Sequence, residues 1–203
     1  MIPKKIHQIW SGNKPIPDFC LEYSKQIKDI YPDYEHTLWL DDDLEKLKSC
    51  KFARHAKEYG DYDFLADWYR SIILYEHGGI YLDIDVQPKE KIDVMLLNEE
   101  LILPLDSEYV TSNYIIGCNK KSKFIKNLCN LYTKSYTENY RIDRKIWSAP
   151  DVIRYCAKQT FGELSIIDKD NGKFNSNRIY FIDITNNKYF NHVVGMISKH
   201  FTE

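Results

Sequence analysis

The chain has 203 residues, 43% of them hydrophobic and 29% charged, with 28 Lys plus Arg against 30 Asp plus Glu and a formal net charge of −2. That composition excludes a disordered chain, and the charge balance excludes a non-specific nucleic-acid binder, which needs a basic excess. No apolar run approaches the roughly 20 residues that span a bilayer.

The length predicts one domain with a sizeable core. The opening Met1-Ile2-Pro3-Lys4-Lys5 has no apolar stretch behind it and does not read as a signal peptide. Any membrane association would be peripheral. The five cysteines, Cys20, Cys50, Cys118, Cys129 and Cys156, show no C-x-x-C spacing and are odd in number. They read as reduced thiols of a cytoplasmic protein, against a disulfide scaffold or a zinc site.

In chain order, Lys5 to Trp10 alternates as a first strand, and residues 11–17 are a loop by composition. A helix is expected from about Asp18, as N-cap, to Ile30, where Tyr31-Pro32 breaks it. Tyr34 to Leu40 reads as a second strand. Asp41-Asp42-Asp43 then suggests a metal site or, more plainly, a turn in which one Asp caps a helix and the others favour its positive end. Helical segments are expected at about 44–50 and 52–59.

A longer helix starts near Asp61 or Asp63 and runs to Glu76 or His77, with Leu65, Trp68, Ile72 and Tyr75 as one buried stripe. Gly78 sits at its C-cap. Gly79-Ile80-Tyr81-Leu82-Asp83-Ile84-Asp85-Val86 then reads as a buried strand stopped by Pro88. Ile80, Leu82, Ile84 and Val86 face one way, and Tyr81, Asp83 and Asp85 the other. Later strands are expected at about 100–104, 113–117, 163–167 and 178–182. Further helices are expected at 121–136 and from Ser148-Ala149-Pro150-Asp151 to before Gly162. This alternation predicts an α/β fold with a mostly parallel, Rossmann-like sheet flanked by helices.

Three constellations carry chemistry. Asp83 and Asp85 suit a hard divalent cation, Mn²⁺ or Mg²⁺, which favours oxygen ligands and leaves positions for substrate phosphates. The plainer reading is a pair of solvated strand-end acids. Same-face residues on a straight strand lie about 7 Å apart. Either the chain turns at Ile84, therefore, or one acid binds directly and the other through water. Asp67 and Arg70, three apart on the preceding helix, are either a simple ion pair or a carboxylate for sugar hydroxyls beside a guanidinium for phosphate or the acid cluster. Trp10, at a strand's carboxyl end, either packs in the core or stacks on a nucleobase. The six histidines form no close metal-spacing cluster, though a single late one can join a carboxylate site in space. No G-x-S-x-G, P-loop or dinucleotide fingerprint is present.

Taken together, Ile2-Pro3-Lys4-Lys5-Ile6-His7-Gln8-Ile9-Trp10, Ala66-Asp67-Trp68-Tyr69-Arg70 and Leu74 through Val86 resemble the DXD-containing sugar transferases of glycosyltransferase family 32. That family includes bacterial capsular polysaccharide transferases and the yeast initiating mannosyltransferase, and the large glucosylating toxins carry related motifs. The resemblance implies a single GT-A domain over residues 1–203, with a nucleotide-sugar-binding half (1–110) and an acceptor-side half (111–203). It implies a metal-dependent, retaining transferase that moves a hexose from a UDP- or GDP-sugar to a glycan, glycopeptide or lipid-linked acceptor. The setting would be capsular or surface polysaccharide or glycoprotein glycan synthesis, at the inner face of a bacterial membrane.

By resemblance, Trp10 stacks on the donor base, Asp67 holds ribose or sugar hydroxyls, and Arg70 lies near the donor sugar and diphosphate. Tyr81 and Asn113 line the donor site. Asp83 orders ribose and metal waters, and Asp85 binds the metal directly. His192 is the candidate late metal ligand and Ser198 matches the family's closing Ser-Trp, where Lys199 stands in place of the Trp; Asp106 is assigned to the acceptor side. Trp147-Ser148-Ala149-Pro150 is similar to a family loop that commonly reads Thr-Gly-Pro. Two other readings stand beside this one. Asp83 could be the nucleophile and Asp85 the acid/base of a haloacid-dehalogenase-type phosphatase, or the chain could be an inactive nucleotide-sugar-binding module.

Overall fold

The computed structural model describes residues 1–12, 14–92, 97–106, 109–110, 113–134, 149–161, 167–168, 173–174, 179–183 and 189–192. Among them is a nine-stranded sheet, ordered β2-β1-β3-β7-β5-β10-β9-β8, with β6 paired to β5. Its core strands are β1 (Lys5–Ile9), β2 (Glu35–Trp39), β3 (Gly79–Leu82), β5 (Leu101–Asp106), β7 (Ile115–Cys118) and β10 (Ile179–Asp183). β6 (Tyr109–Val110), β8 (Ile167–Asp168) and β9 (Lys173–Phe174) are two-residue additions.

β2, β1, β3, β5 and β10 run one way; β7 runs against them between β3 and β5, as do the two-residue β6 beside β5 and β9 beside β10. The α/β class with a mostly parallel, helix-flanked sheet is therefore the one observed. Strand order reverses between β1, which leads outward to β2, and β3, which leads to β7. Open α/β sheets bind ligands at such a reversal, beyond the carboxyl ends of the strands.

Strand alternation sorts the core into two layers. Ile9 and Tyr81 face α3 (Lys51–Tyr59), α4 (Tyr62–His77), α5 (Lys123–Lys134) and α6 (Ala149–Phe161). Ile6, Ile80 and Leu82 face the other way, toward Ile27 and Tyr31 of the α1 (Asp18–Ile30) side. α4 packs on α3, on α5 and on β1 and β3 together. It is thus buried on every side over its middle, Asp67 and Arg70 included, and is not the one-striped surface helix its periodicity predicts. Trp68 fits there because its Nε1–H reaches the Lys48 carbonyl at 3.0 Å, so the ring is buried with its polar atom satisfied.

The step from α4 into β3 takes no loop. Gly78 has φ +64°, and a Cβ there would lie 2.5 Å from the Lys120 backbone nitrogen. Gly79 has φ +99°, and a Cβ there would lie 2.7 Å from the Lys5 carbonyl oxygen. No other residue type fits either position without moving backbone.

Several local expectations change. β3 stops at Leu82, and Asp83 to Asp85 form a turn closed by Val86 N–H on the Asp83 carbonyl at 3.1 Å. The chain then pairs again as β4 (Val86–Pro88), antiparallel to β11 (Phe190–His192), with Pro88 as its last residue. The helix after β2 is a single turn, α2 (Asp41–Leu44), not a helix over 44–50. No Asp caps it: Leu40 holds the cap position, and the Asp41 carboxylate instead accepts the Gly12 N–H, at 3.1 Å to its nearer oxygen. α1 likewise starts after Pro17, whose carbonyl takes the Cys20 and Leu21 N–H groups, so Asp18 is a first-turn acid. Most of the strand expected at 163–167 lies outside the described residues.

Candidate functional site

The carboxyl edge of the sheet brings the expected residues to one place from separate elements. Arg70 of α4 is the hub. Its Nη1 donates to the Asn113 carbonyl at 2.6 Å, and its Nη2 lies 3.2 Å from both Asp67 Oδ1 and Asp83 Oδ1. Its guanidinium carbon stands 4.2 Å from the centre of the Tyr81 ring, within cation–π range. The Tyr81 hydroxyl donates to Asp83 Oδ1 at 2.7 Å, and Asn113 Nδ2 donates to Asp67 Oδ1 at 2.8 Å. Arg70 Nε is buried without a hydrogen-bond partner. The guanidinium therefore serves the acid cluster, one of the two roles the sequence left open.

Local sequence explains the convergence. Asp67 and Arg70 are neighbours across one helical turn, and Tyr81 and Asp83 are i, i+2 at a strand's end. Asn113 lies just before β7, next to β3, and the Tyr114 carbonyl accepts the Asp83 N–H at 2.9 Å.

Burial sets the protonation behaviour. It pushes the Asp67 carboxyl up from 3.8 to about 7, against the lowering effect of Arg70 and with reinforcement from Asp83. Burial acts to lower Arg70, but Tyr81, Asp83 and Asp67 outweigh it and hold the guanidinium charged. Burial also lifts the Tyr81 phenol well above its ordinary value, so it stays a donor.

A divalent cation fits this donor set. One guanidinium faces Asp67 and Asp83, and Asp85 follows on the same turn, so the acids exceed the fixed positive charge. Oxygen donors in excess of local cations suit Mn²⁺ or Mg²⁺. Asp83 Oδ1 already accepts from Tyr81 and Arg70. His192 occupies the β11 position opposite Val86, one residue after Asp85, which brings a third candidate ligand's backbone beside the pair. Among the described side chains, no group of three His, Cys, Asp or Glu forms a ready ligand set.

Other expected residues stand further out. Trp10, just beyond β1, is half-buried; its N–H bonds the Trp39 carbonyl at 3.0 Å and its Nε1–H the Lys14 carbonyl at 2.8 Å. Asp106 ends β5, and so lies on the same edge of the sheet. Trp147, Ser148, Ser198 and Lys199 lie outside the described residues.

Sequence reasoning passed over Gln8. It is fully buried in β1, and its Nε2 lies 3.5 Å from the Asp83 carbonyl. A signal was present, since alternation puts this polar residue on the same strand face as Ile6.

The fold matches solved glycosyltransferases. The PaToxG glycosyltransferase superposes with a TM-score of 0.64 at 19% identity, over 79% of this chain and 69% of that one. The UDP-bound glycosyltransferase domain of the YGT toxin gives 0.51 at 13% identity, over 80% and 68%. At these identities the likeness is one of fold.

Residues 17–103 match the model of the glycosyltransferase sugar-binding region containing a DXD motif. Inositol phosphoceramide mannosyltransferase 3 of Schizosaccharomyces pombe is 38% identical over 127 residues, covering 61% of this chain and 35% of the relative. Mannosyl phosphorylinositol ceramide synthase CSH1 of Saccharomyces cerevisiae is 28% identical over 145 residues, covering 70% and 38%. The chain thus spans little more than a third of the length of either curated relative.

Proposed function

We propose that this chain is a metal-dependent, retaining mannosyltransferase that uses a nucleotide-sugar donor and a glycan or lipid-linked acceptor. The observation that carries the reading is the Arg70 hub, which joins Asp67, Asn113, Tyr81 and Asp83 at the sheet's topological switch, two residues before Asp85. The choice of mannose, and of a lipid-linked acceptor in glycolipid or surface-polysaccharide synthesis, rests on likeness to the ceramide mannosyltransferases. Work at a membrane surface follows from such an acceptor; no helix among the described residues is long and apolar enough to cross a membrane.

In this reading Asp85, with His192, holds the divalent cation directly. Asp83, whose Oδ1 is already engaged, contributes through water and the ribose. When bound, the cation supplies neutralisation of the diphosphate leaving group. Trp10 offers its face to the base. Asp67, oriented by Arg70 and Asn113, accepts from donor hydroxyls. The acceptor hydroxyl attacks the anomeric carbon from the face the diphosphate leaves, and its proton passes to a departing phosphate oxygen. Asp106 belongs to the acceptor side. Arg70 keeps the acids in place through the reaction because it is bonded on several sides. The phosphatase reading is disfavoured by the same contacts: a carboxylate that accepts from both Tyr81 and Arg70 is a poor nucleophile.

The test is a thermal-shift screen of GDP-mannose and UDP-hexoses with and without Mn²⁺, followed by transfer assays on an inositol-phosphoryl lipid. Donor-dependent stabilisation that Asp85→Ala removes is the expected result. If no nucleotide sugar binds with or without metal, the reading fails.

A further inference from the structure

The parallel ladder between β1 and β3 is short. Its register is Ile6 with Ile80 and His7 with Tyr81, and it goes no further. β1 nevertheless stays paired with β2 as far as Ile9. β1 and β3 therefore part at the edge where the acid turn begins. Beyond the parting, the Gln8 side chain takes over: its Nε2 lies 3.5 Å from the Asp83 carbonyl. A side-chain amide thus stands where a backbone N–H would otherwise continue the ladder.

That amide is held from behind. Gln8 Oε1 accepts the Ser24 hydroxyl of α1 at 2.7 Å and faces His36 Nε2 of β2 at 3.0 Å. Burial keeps His36 neutral by lowering it from 6.5 to about 4. With the oxygen turned toward Ser24 and His36, the NH₂ group is directed at Asp83; the flipped amide would set oxygen against the carbonyl oxygen. The Asp83 carbonyl also takes the Val86 N–H at 3.1 Å, the bond that closes the turn. The Asp83 N–H is fixed on the other side by Tyr114 at 2.9 Å. The Asp83 residue is thus held from both neighbouring strands, on the β1 side by one carboxamide.

We propose that Gln8, backed by Ser24 and His36, is a positioning residue for the donor site: it sets the Asp83–Asp85 turn and so the placement of the two acids. The proposal rests on the metal-binding part of the function proposed above. Gln8 itself touches neither donor nor cation. It acts through the Asp83 carbonyl, as outer groups orient ligands around a metal.

The experiment uses the whole chain as wild type, Gln8→Met and Gln8→Glu. Gln8→Met keeps the length and loses the amide. Gln8→Glu keeps an acceptor for Ser24 and His36 but turns an oxygen toward Asp83. Mn²⁺ is titrated and free ion is followed by its paramagnetic resonance signal, while amide exchange is read at Val86. Both variants should weaken Mn²⁺ binding by about 10–100-fold and speed Val86 exchange. Ser24→Ala should do the same to a smaller extent. A lowered melting temperature with wild-type Mn²⁺ affinity and wild-type Val86 exchange overturns the proposal.

If the wild type takes up no Mn²⁺, the metal reading has failed separately. Val86 exchange then decides the matter for Gln8: faster exchange supports the clamp, and unchanged exchange overturns it. Should the Gln8 variants not fold, Ser24→Ala carries both readouts with the same signs.

Discussion

The Arg70 guanidinium meets the Asp83 carboxylate at 3.2 Å, and this contact ties the central helix to the turn that ends β3. The same nitrogen lies 3.2 Å from the buried Asp67. Removing the cation leaves two carboxylates facing each other without compensation. Arg70→Met should therefore destabilise the protein by about 3–5 kcal/mol, the usual cost of breaking a buried pair on one side. Arg70→Lys should lose less, since it keeps the charge but not the fork that also reaches Asn113. Urea unfolding measures both, and a loss below about 1 kcal/mol for Arg70→Met would show that the hub is not what holds the acids.

The two acids of the turn should respond unequally. Asp85→Ala should lower Mn²⁺ affinity more than Asp83→Ala. Asp83→Ala should in addition free Tyr81 and Arg70, which both donate to its Oδ1, and so raise the KM for the donor. Calorimetric titration of Mn²⁺ into each variant reads the difference. Equal losses contradict the division of labour.

Trp10 should report on the donor base. Stacking of a base on an aromatic face is worth about 1–3 kcal/mol. Trp10→Ala should weaken nucleotide binding by that amount, whereas Trp10→Phe should recover most of it. Binding unchanged in Trp10→Ala would place the base elsewhere.

The pH dependence of stability contains two opposed slopes. His7 gives its Nε2 proton to the Gly78 carbonyl at 2.9 Å and accepts from Trp39 Nε1 at 3.2 Å, so the neutral ring is the one that fits. Burial lowers its pKa from 6.5 to about 4. The unfolded chain binds the proton first, so this stability is present above pH ~6.5 and is lost down to pH ~4, on the order of 3 kcal/mol. Asp67 works in the opposite sense. Its carboxyl is raised from 3.8 to about 7, so the folded protein keeps the proton longer and loses stability as pH rises through that window. His36, lowered by burial to about 4, adds to the His7 slope, so without metal the Asp67→Asn profile should be steeper than the wild-type one. Asp67→Asn should expose the full loss on acidification, and His7→Gln should reduce that loss. Urea midpoints from about pH 4 to about pH 8 provide the check.

The glycine that ends α4 differs in kind from the one that ends α3. A Cβ at Gly60 meets nothing within 4 Å, although φ is +70°. Gly60→Ala should cost about 1–2 kcal/mol, from backbone conformation alone. Gly78→Ala adds a clash with backbone at 2.5 Å and should cost several times as much, as thermal melts of the two variants would reveal.

Much of the Arg70 cluster was legible in the sequence because its partners are close in the chain. Asp67 and Arg70 share a helical turn, and Tyr81 and Asp83 a strand face. What was not legible depends on distant segments. Asp41 turns from capping α2 to hold Gly12, which β1 and β2 bring beside it. α4 is buried all round because α3 and α5 cover the sides its periodicity marks as polar. The acids leave the strand because β1 lets go of β3 there, and Gln8 becomes an anchor only once α1 and β2 are in place.

The early parting of β1 from β3 has a bearing on how this scaffold diversifies. Where two strands remain zipped, any change of shape must bend the sheet. Here the acid turn is held by side chains of several elements, Gln8 of β1, Arg70 of α4 and Tyr81 of β3. Individual anchors can be exchanged one at a time, with the sheet left standing. A lineage built this way can alter what it grips without first relearning how to fold.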